Sequence, residues 1–408
     1  ATNTPNSLPP TDNFSASSVI YQKNSGMSSP VLFSELGNML PKSRTASVAT
    51  GIIAGGALGL LGGFGLKAIG TTLSKAVLLG GGSAIGATIG GLVANSAVSS
   101  RNWNLNELKV QENKSQSVVG VIPKDIIVAV IDTGVNISHP ELEGKIWTNE
   151  KEVPNDGIDN DNNGFTDDSH GWDFIDNNAN IKDSLSHGTH IAGTIAGKTV
   201  GVSAHAKIMP LRVLGTDAKG NAASISKAIY YAVDNGAKVI NLSFGSPDYH
   251  AGVEMAILYA KSNNVMVITA AGNNYSNNDL KPNYPASLPH NNVISVANLD
   301  KNLNLAKDSN YGKTSVDIAA PGTNIYSSVN EGFFSKYKAI SGTSMAAAHV
   351  SAIAAEVIAW NPGENIDATR QRILNGDSVE AIKDKTSTGM KVNLQKAVFG
   401  NSALLKAS

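Results

Sequence analysis

Short apolar runs rich in β-branched residues alternate with longer helical stretches along the chain from residue 126 onward. The predicted strands are residues 126–131, 206–211, 238–242, 265–270, 293–296 and 315–318, and the predicted helices are 224–235, 249–263 and 345–360. Strands that alternate with helices form a parallel sheet with helices on both faces, and the ligand site lies at the carboxyl ends of the strands. The pattern therefore predicts a doubly wound, three-layer α/β/α fold.

Residues 45–100 have a different pattern, in which glycines recur every four positions. Fourteen of the 40 glycines of the chain lie between Gly51 and Gly91, and the only charges in this segment are Lys67 and Lys75. The two series that share this spacing are Gly51, Gly55, Gly59, Gly63 and Gly82, Gly86, Gly90, Ala94. Small residues at this spacing let helices approach closely in lipid. In water, by contrast, each helical glycine costs ~1 kcal/mol relative to alanine.

We therefore expect residues 45–100 to form a glycine-zipper helical hairpin that associates with a membrane. Residues 46–66 and 76–98 are each long enough to span the ~30 Å hydrocarbon core of a bilayer. Two alternatives stay open for this segment. It could cover the following domain as a propeptide does, or it could be a low-complexity tether.

The flanking segments are polar. Residues 1–44 are rich in Ser, Asn, Thr and Pro and are predicted to be a mobile arm. Residues 101–122 are predicted to be a linker or a short helix that leads into the α/β domain at 123–400, and residues 401–408 a C-terminal tail.

Charge and cysteine content exclude several function classes. The 32 basic and 33 acidic residues give a net charge of −1, which argues against a nucleic-acid partner. The chain has no cysteine, so disulfides, thiolate catalysis and zinc–thiolate sites are excluded.

Three motifs in the α/β region carry candidate chemistry. Asp132 closes the first predicted strand, His187 opens an apolar helix, and Ser344 opens another. A serine hydroxyl becomes a good nucleophile when an imidazole accepts its proton, and a carboxylate fixes the tautomer of that imidazole. At a helix N-terminus, backbone N–H groups also point toward a developing oxyanion. The three residues are therefore a candidate catalytic triad.

These motifs closely resemble those of the subtilisin-like serine proteases (subtilases, peptidase family S8), in their wording and in their order along the chain. The resemblance runs from about residue 121 to 399. Further matching segments are Gly201-Val202-Ser203-Ala204, Asn241-Leu242-Ser243-Phe244-Gly245, Ala270-Ala271-Gly272-Asn273, Tyr284-Pro285-Ala286 and Ala320-Pro321-Gly322. The resemblance implies a serine endopeptidase with a subtilisin-like fold and the triad Asp132, His187 and Ser344.

The resemblance also implies roles for residues around the triad. Asn273 would donate its side-chain amide to the oxyanion hole, together with the backbone N–H of Ser344. The implied substrate-binding residues are Ser243, Phe244, Gly245, Ala271, Gly272 and Asn283. Ala348 stands where the family nearly always has proline, and we expect this departure to change stability and leave the chemistry intact.

An acidic loop between Asp132 and His187 predicts a calcium site. Oxygen ligands alternate at Asp159, Asp161 and Asn163, and the Phe165 carbonyl follows, as in the first half of an EF-hand loop. The closing glutamate is absent, so Asp168 or its neighbour Asp167 would complete the site. The alternative is a solvated acidic loop. His187 and His190 lack the intervening glutamate of a zinc helix, so His190 is expected to serve in packing.

Together these features predict a Ca²⁺-stabilised serine endopeptidase that acts on polypeptides as a monomer. We expect it to be secreted or exported and to associate with membranes through residues 45–100. The alternative is a membrane-inserting toxin or anchor whose protease domain is accessory or inactive.

Overall fold

A nine-stranded sheet forms the centre of the domain in the computed structural model, which describes residues 102–110, 121–330 and 336–400. The predicted N-terminal arm, the glycine-zipper hairpin and the C-terminal tail lie outside the described residues, and so does Arg101. The strands are β1 (Ile126–Asp132), β2 (Trp172–Asp173), β3 (Ala206–Arg212), β4 (Val239–Leu242), β5 (Met266–Ala270), β6 (Val293–Leu299), β7 (Ile318–Pro321), β8 (Ile325–Val329), β9 (Lys336–Ile340), β10 (Asp377–Ser378) and β11 (Met390–Lys391).

Seven helices accompany these strands in the described residues. They are α1 (Trp103–Glu107), α2 (His187–Ala196), α3 (Ala222–Asp234), α4 (Ala251–Ser262), α5 (Thr343–Trp360), α6 (Ile366–Leu374) and α7 (Leu394–Phe399). Asparagine side chains cap three of them. Asn221, Asn365 and Asn393 each accept a hydrogen bond from a backbone N–H in the first turn of α3, α6 and α7, which satisfies a donor that has no partner within the helix.

The strand order in the large sheet is β10-β11-β7-β6-β5-β4-β1-β3-β2. Neighbouring strands are parallel except at the β10–β11 edge, and β8 and β9 form a separate antiparallel hairpin. The central strands are buried on both faces, as expected for the β-branched runs from which they form. The carboxyl ends of β1, β4 and β5 therefore lie side by side at one edge of the sheet.

Helices cover both faces of this sheet, which confirms the predicted three-layer architecture. Helices α2 and α5 pack against each other and against the central strands, while α3 and α4 form the other pair. In the part of the chain that the structure describes, α5 alone is long and apolar enough to suit a membrane span. It is 94% buried among the other elements, as the core helix of an α/β domain would be.

The last predicted strand, residues 315–318, is wrong at both ends. The Thr314 and Ser315 amides donate to the Asp279 carboxylate, so these residues form a loop, and β7 begins at Ile318. Asp279, 35 positions before Thr314 in the sequence, thus accepts the backbone hydrogen bonds that a neighbouring strand would accept if β7 began earlier.

Part of the predicted linker is integral to the domain. Residues 104–110 place Leu105, Leu108 and Val110 in the core. The Asn104 amide lies 2.9 Å from His349 Nε2, and Glu107 pairs with the buried Lys391 ammonium. A helix that leads into the domain, the other form of that prediction, describes these residues better than a linker does.

Candidate active site

Asp132 and His187 meet where β1 ends and α2 begins. His187 Nδ1 lies 2.7 Å from Asp132 Oδ1, and both side chains are fully buried. Gly188 makes this approach possible, because a Cβ there would overlap the carbonyl oxygen of Gly134. A carboxylate only accepts hydrogen bonds, so Nδ1 carries the proton of the neutral ring and Nε2 keeps the lone pair that a base needs.

Ser344 lies in the first turn of α5, beside the end of β4. Its Oγ donates to the Ser243 carbonyl at 3.0 Å, and the Ser243 hydroxyl donates back to the Ser344 carbonyl at 3.2 Å. Gly342 precedes the helix with φ +155°, a conformation that an L side chain rarely adopts. The turn therefore presents Ser344 at the positive end of a long helix.

Asn273 follows β5 with its amide held in one orientation. Its Oδ1 accepts from both the backbone N–H and the hydroxyl of Thr343, at 2.8 and 2.9 Å. The two donors occupy the oxygen, so the NH₂ group is directed away from them and can donate elsewhere. Thr343, whose role was not predicted from the sequence, thus orients the predicted oxyanion donor.

The six predicted substrate-binding residues lie together. Ser243, Phe244 and Gly245 continue β4, and Ala271 and Gly272 continue the neighbouring strand β5. The Asn283 amide donates to the Ala271 carbonyl at 3.1 Å. A Cβ on Gly245 or on Gly272 would press against this same amide. Asn283 therefore closes the space between the two segments with a polar group.

Two further histidines, His190 and His349, contact backbone carbonyls inside the core. His190 Nε2 lies 2.9 Å from the Ile325 carbonyl, and burial lowers the pKa of His190 to about 3. His349 Nδ1 lies 2.8 Å from the Pro321 carbonyl, and burial lowers the pKa of His349 to about 4. Both rings are therefore neutral at physiological pH.

Three carboxylates of the acidic loop form a cluster that could hold a metal ion. Oxygens of Glu152, Asp159 and Asp161 lie within 4.8 Å of one another. Among the described residues, no lysine or arginine forms an ion pair with these three. Glu152 was not predicted from the sequence, because it lies seven positions before the alternating ligands and outside the spacing of a known loop.

The rest of the predicted calcium set anchors the loop to the domain. The Asn163 side chain donates to the buried Asp168 at 2.9 Å, and the Tyr231 hydroxyl donates to the same carboxylate at 2.6 Å. The Phe165 ring packs in the core against Tyr231 and Trp172, with ring centroids 4.9 and 5.2 Å apart. In this arrangement Asp168 accepts hydrogen bonds, while Glu152 joins the carboxylate cluster.

The subtilase family model matches residues 123–400. Thermitase from Thermoactinomyces vulgaris is 35% identical over 66% of this chain and 88% of its own length. The thermophilic serine proteinase of Bacillus sp. strain AK1 is 36% identical over 60% of this chain, which spans only 55% of that relative. A crystal structure of a cold-adapted subtilisin-like serine proteinase aligns with a TM-score of 0.54 and 28% identity, over 68% of this chain and 90% of the other.

Proposed function

This chain belongs to the subtilase family of serine proteases, and we propose that it is an endopeptidase whose catalytic residues are Asp132, His187 and Ser344. The observation that carries the proposal is the buried Asp132–His187 contact of 2.7 Å at the same sheet edge as Ser344. This contact places the proton of the neutral imidazole on Nδ1 and leaves Nε2 as the basic nitrogen.

In the proposed reaction, Ser344 Oγ attacks the carbonyl carbon of the scissile peptide bond while His187 Nε2 accepts the hydroxyl proton. The oxyanion that forms accepts hydrogen bonds from the Asn273 amide and the Ser344 backbone N–H. The C–N bond then breaks as His187 returns the proton to the leaving amine. Water, deprotonated by His187, attacks the ester carbon, and the acid product leaves with Ser344 Oγ protonated again.

We propose that the substrate is an extended polypeptide that runs along residues 243–245 and 271–272. Main-chain hydrogen bonds to such a segment give affinity, while pockets for the side chains give specificity. The Asn283 amide lies between these segments and makes the floor of the space polar. We therefore expect a P1 side chain that can hydrogen-bond to an amide.

We propose that Ca²⁺ binds the acidic loop. Glu152, Asp159 and Asp161 would supply carboxylate oxygens, with Asn163, the Phe165 carbonyl and Asp168 as the further candidates from the sequence. Hard oxygen ligands with clustered negative charge suit Ca²⁺. When bound, the ion neutralises the repulsion among these carboxylates. The residues themselves hold the loop against Tyr231 and the aromatic core, away from the peptide chemistry.

We further propose that the protein is secreted or exported as a monomer and associates with membranes through residues 45–100. The small-residue repeats of this segment support the proposal. The full-length chain should float with liposomes, and replacement of Gly55 and Gly59 by Leu should weaken flotation without changing hydrolysis of a soluble peptide. A chain that stays in solution with every lipid tested would contradict the membrane role.

Hydrolysis of an unfolded protein substrate tests the proposed activity. The wild type should release internal peptides that mass spectrometry identifies, and Ser344→Ala should release none. Ser184→Ala is a matched control, because Ser184 is an exposed serine in the segment before His187. A wild type that leaves the substrate intact in the presence of Ca²⁺ would contradict the proposal.

A further inference from the structure

Asp183 is a fully buried carboxylate that the reaction above does not use. It lies four residues before His187, and five hydrogen bonds from described residues reach its two oxygens. All five come from neutral groups: the hydroxyl of Thr133, the backbone N–H groups of Leu185 and Ser186, and the N–H and hydroxyl of Thr189. Their lengths run from 2.6 to 2.9 Å.

These donors flank both partners of the Asp132–His187 contact. Thr133 directly follows Asp132, while Ser186 and Thr189 lie on either side of His187. Thr133 must donate its proton to the carboxylate, so its oxygen is free to accept the Gly188 N–H at 3.0 Å. One buried carboxyl group therefore ties the end of β1 to the first turn of α2.

The backbone directly before His187 is held in an uncommon conformation. Ser186 has φ +67° and ψ −1°, the left-handed region, and its side chain does not cap the helix. Such a residue persists only where its surroundings hold it, and the Ser186 N–H is bound by Asp183. The direction in which the His187 side chain extends from the backbone thus depends on this hydrogen bond.

The five donors also define what a substitution would do. Burial raises the pKa of Asp183, while the hydrogen bonds from Thr189, Leu185 and Thr133 favour the ionised form. In Asp183→Asn, an NH₂ group would face at least one of the N–H or O–H donors. That donor would be left without a partner, and the turn before His187 would have to rearrange.

We propose that Asp183 is a positioning residue that sets the alignment of His187 with Asp132 and Ser344. This proposal rests on the proposed endopeptidase activity. Asp183 touches neither the substrate nor the reacting atoms; it acts through Thr133 and Ser186.

Steady-state kinetics of the full chain test the proposal. Asp183→Asn should lower kcat per folded molecule by roughly 10- to 100-fold, since small misplacements of catalytic groups cost about that much. KM should stay unchanged, because the substrate contacts lie on other strands. The matched control is Asp317→Asn, which alters a largely buried carboxylate at the amino end of β7, away from the site. The control should keep its kcat per folded molecule.

Thr133 supplies an independent arm. Thr133→Val keeps the shape but breaks the link to Asp183 and should lower kcat, whereas Thr133→Ser keeps the hydroxyl and should restore most of it. The double variant Thr133→Val/Asp183→Asn should be no slower than the slower of the two single variants. The reason is that both changes break the same hydrogen bond between Thr133 and Asp183.

The proposal is overturned if Asp183→Asn keeps the wild-type kcat, if KM rises instead, or if the two single effects multiply in the double variant. Should Asp183→Asn fail to fold, the Thr133 pair decides, and equal rates for valine and serine would refute the link. A wild type that hydrolyses nothing refutes the endopeptidase activity, and the positioning role with it. An active wild type with an insensitive Asp183 refutes the positioning role alone.

Discussion

Thr343 donates two hydrogen bonds to the Asn273 oxygen, and this pair determines where the amide protons of Asn273 point. An oxyanion donor is useful only if it is oriented before the charge develops, since reorientation during the reaction would itself require free energy. Ser344, the proposed nucleophile, is therefore preceded directly by Thr343, which orients the proposed oxyanion donor Asn273.

Replacement of Asn273 by alanine should lower kcat by ~10²–10³, the loss known for such a donor in subtilisin, with little change in KM. The lost hydrogen bond forms only in the transition state, so substrate binding should be unaffected. Asn274→Ala is the control, because Asn274 is exposed and adjacent. Kinetics with one peptide substrate decide the matter: an increase in KM at constant kcat would mean that Asn273 binds the ground state.

Asp132, His187, Ser344 and Asn273 could be proposed as site residues from the sequence, because each stands in a short motif at the end of a strand or the start of a helix. Asp183, Thr343 and Glu152 acquire their roles from hydrogen bonds or charges that form only in the folded chain. Asp183 contacts Thr133 across 50 positions, and no local pattern records that distance.

Helix α5 is held near its C-terminal end by an ion pair between the buried Glu356 and His205. Glu356 is 1% exposed and accepts from the Ser203 hydroxyl at 2.7 Å and from the Ala204 amide at 2.8 Å. His205 Nδ1 lies 3.0 Å from the same carboxylate, and the Trp360 indole donates to it at 3.2 Å. The pair ties α5 to the segment that leads into β3.

The pKa values of His205 and Glu356 shift in opposite directions. The hydrogen bond that His205 donates to Glu356 raises the pKa of His205 above its ordinary value of 6.5. The charge of Asp125 adds to this shift, and that of Lys145 opposes it. Burial alone would raise the pKa of Glu356, but the hydrogen bonds from His205 and Ser203 outweigh burial and lower it below its ordinary 4.5. The histidine contribution is complete below pH 6.5 and is lost as the pH rises through the raised pKa. The glutamate contribution is complete above pH 4.5 and is lost on acidification.

The pair of Glu356 and His205 should therefore contribute most to the free energy of unfolding between about pH 4.5 and 6.5. Glu356→Gln should lower the melting temperature at pH 6 more than at pH 9, where His205 is neutral in either variant. Thermal unfolding followed by circular dichroism at both pH values measures this. Glu254→Gln is the control, because Glu254 is a partly exposed glutamate of α4 that pairs with His290. An equal loss at both pH values would show that the pair contributes no charge interaction.

The elements themselves were predictable to different degrees. Central strands such as β1 and β4 are continuous buried runs, and their hydrophobicity is visible without any neighbour. The β8–β9 hairpin was not predicted, because β9 is mostly exposed and its Lys336-Tyr337-Lys338 sequence lacks an apolar face. Helix α1 is a single short turn, and buried contacts to His349 and Lys391 hold it in place.

Two opposing effects act on the acidic loop of the folded molecule. Its Asp168 and Phe165 are fastened to Tyr231 of α3, whereas the carboxylates of Glu152, Asp159 and Asp161 repel one another. A cation that binds only the folded loop therefore stabilises the folded state, because Asp168 and Phe165 fasten the loop to the core.

Ca²⁺ at a hundred-fold excess over Kd should stabilise the fold by ~2.7 kcal/mol, or roughly 5 °C in melting temperature. Calorimetry with and without chelator measures the effect. Asp161→Ala should abolish the difference, while Asp217→Ala, which changes an exposed turn carboxylate elsewhere, should preserve it. Mg²⁺ should substitute poorly because it requires stricter octahedral geometry. A melting temperature that changes with neither chelator nor Asp161→Ala would show that no stabilising metal ion binds this loop.

We propose that the folded chain activates Ser344 as a nucleophile through His187, and covalent labelling with a fluorophosphonate tests this activation. The wild type should take up one label per chain, and peptide mapping should place it on Ser344. Ser344→Ala should take up none, and His187→Ala should react far more slowly, because nothing then accepts the hydroxyl proton. A label on any other residue, or a His187→Ala variant that reacts at the wild-type rate, would contradict the claim.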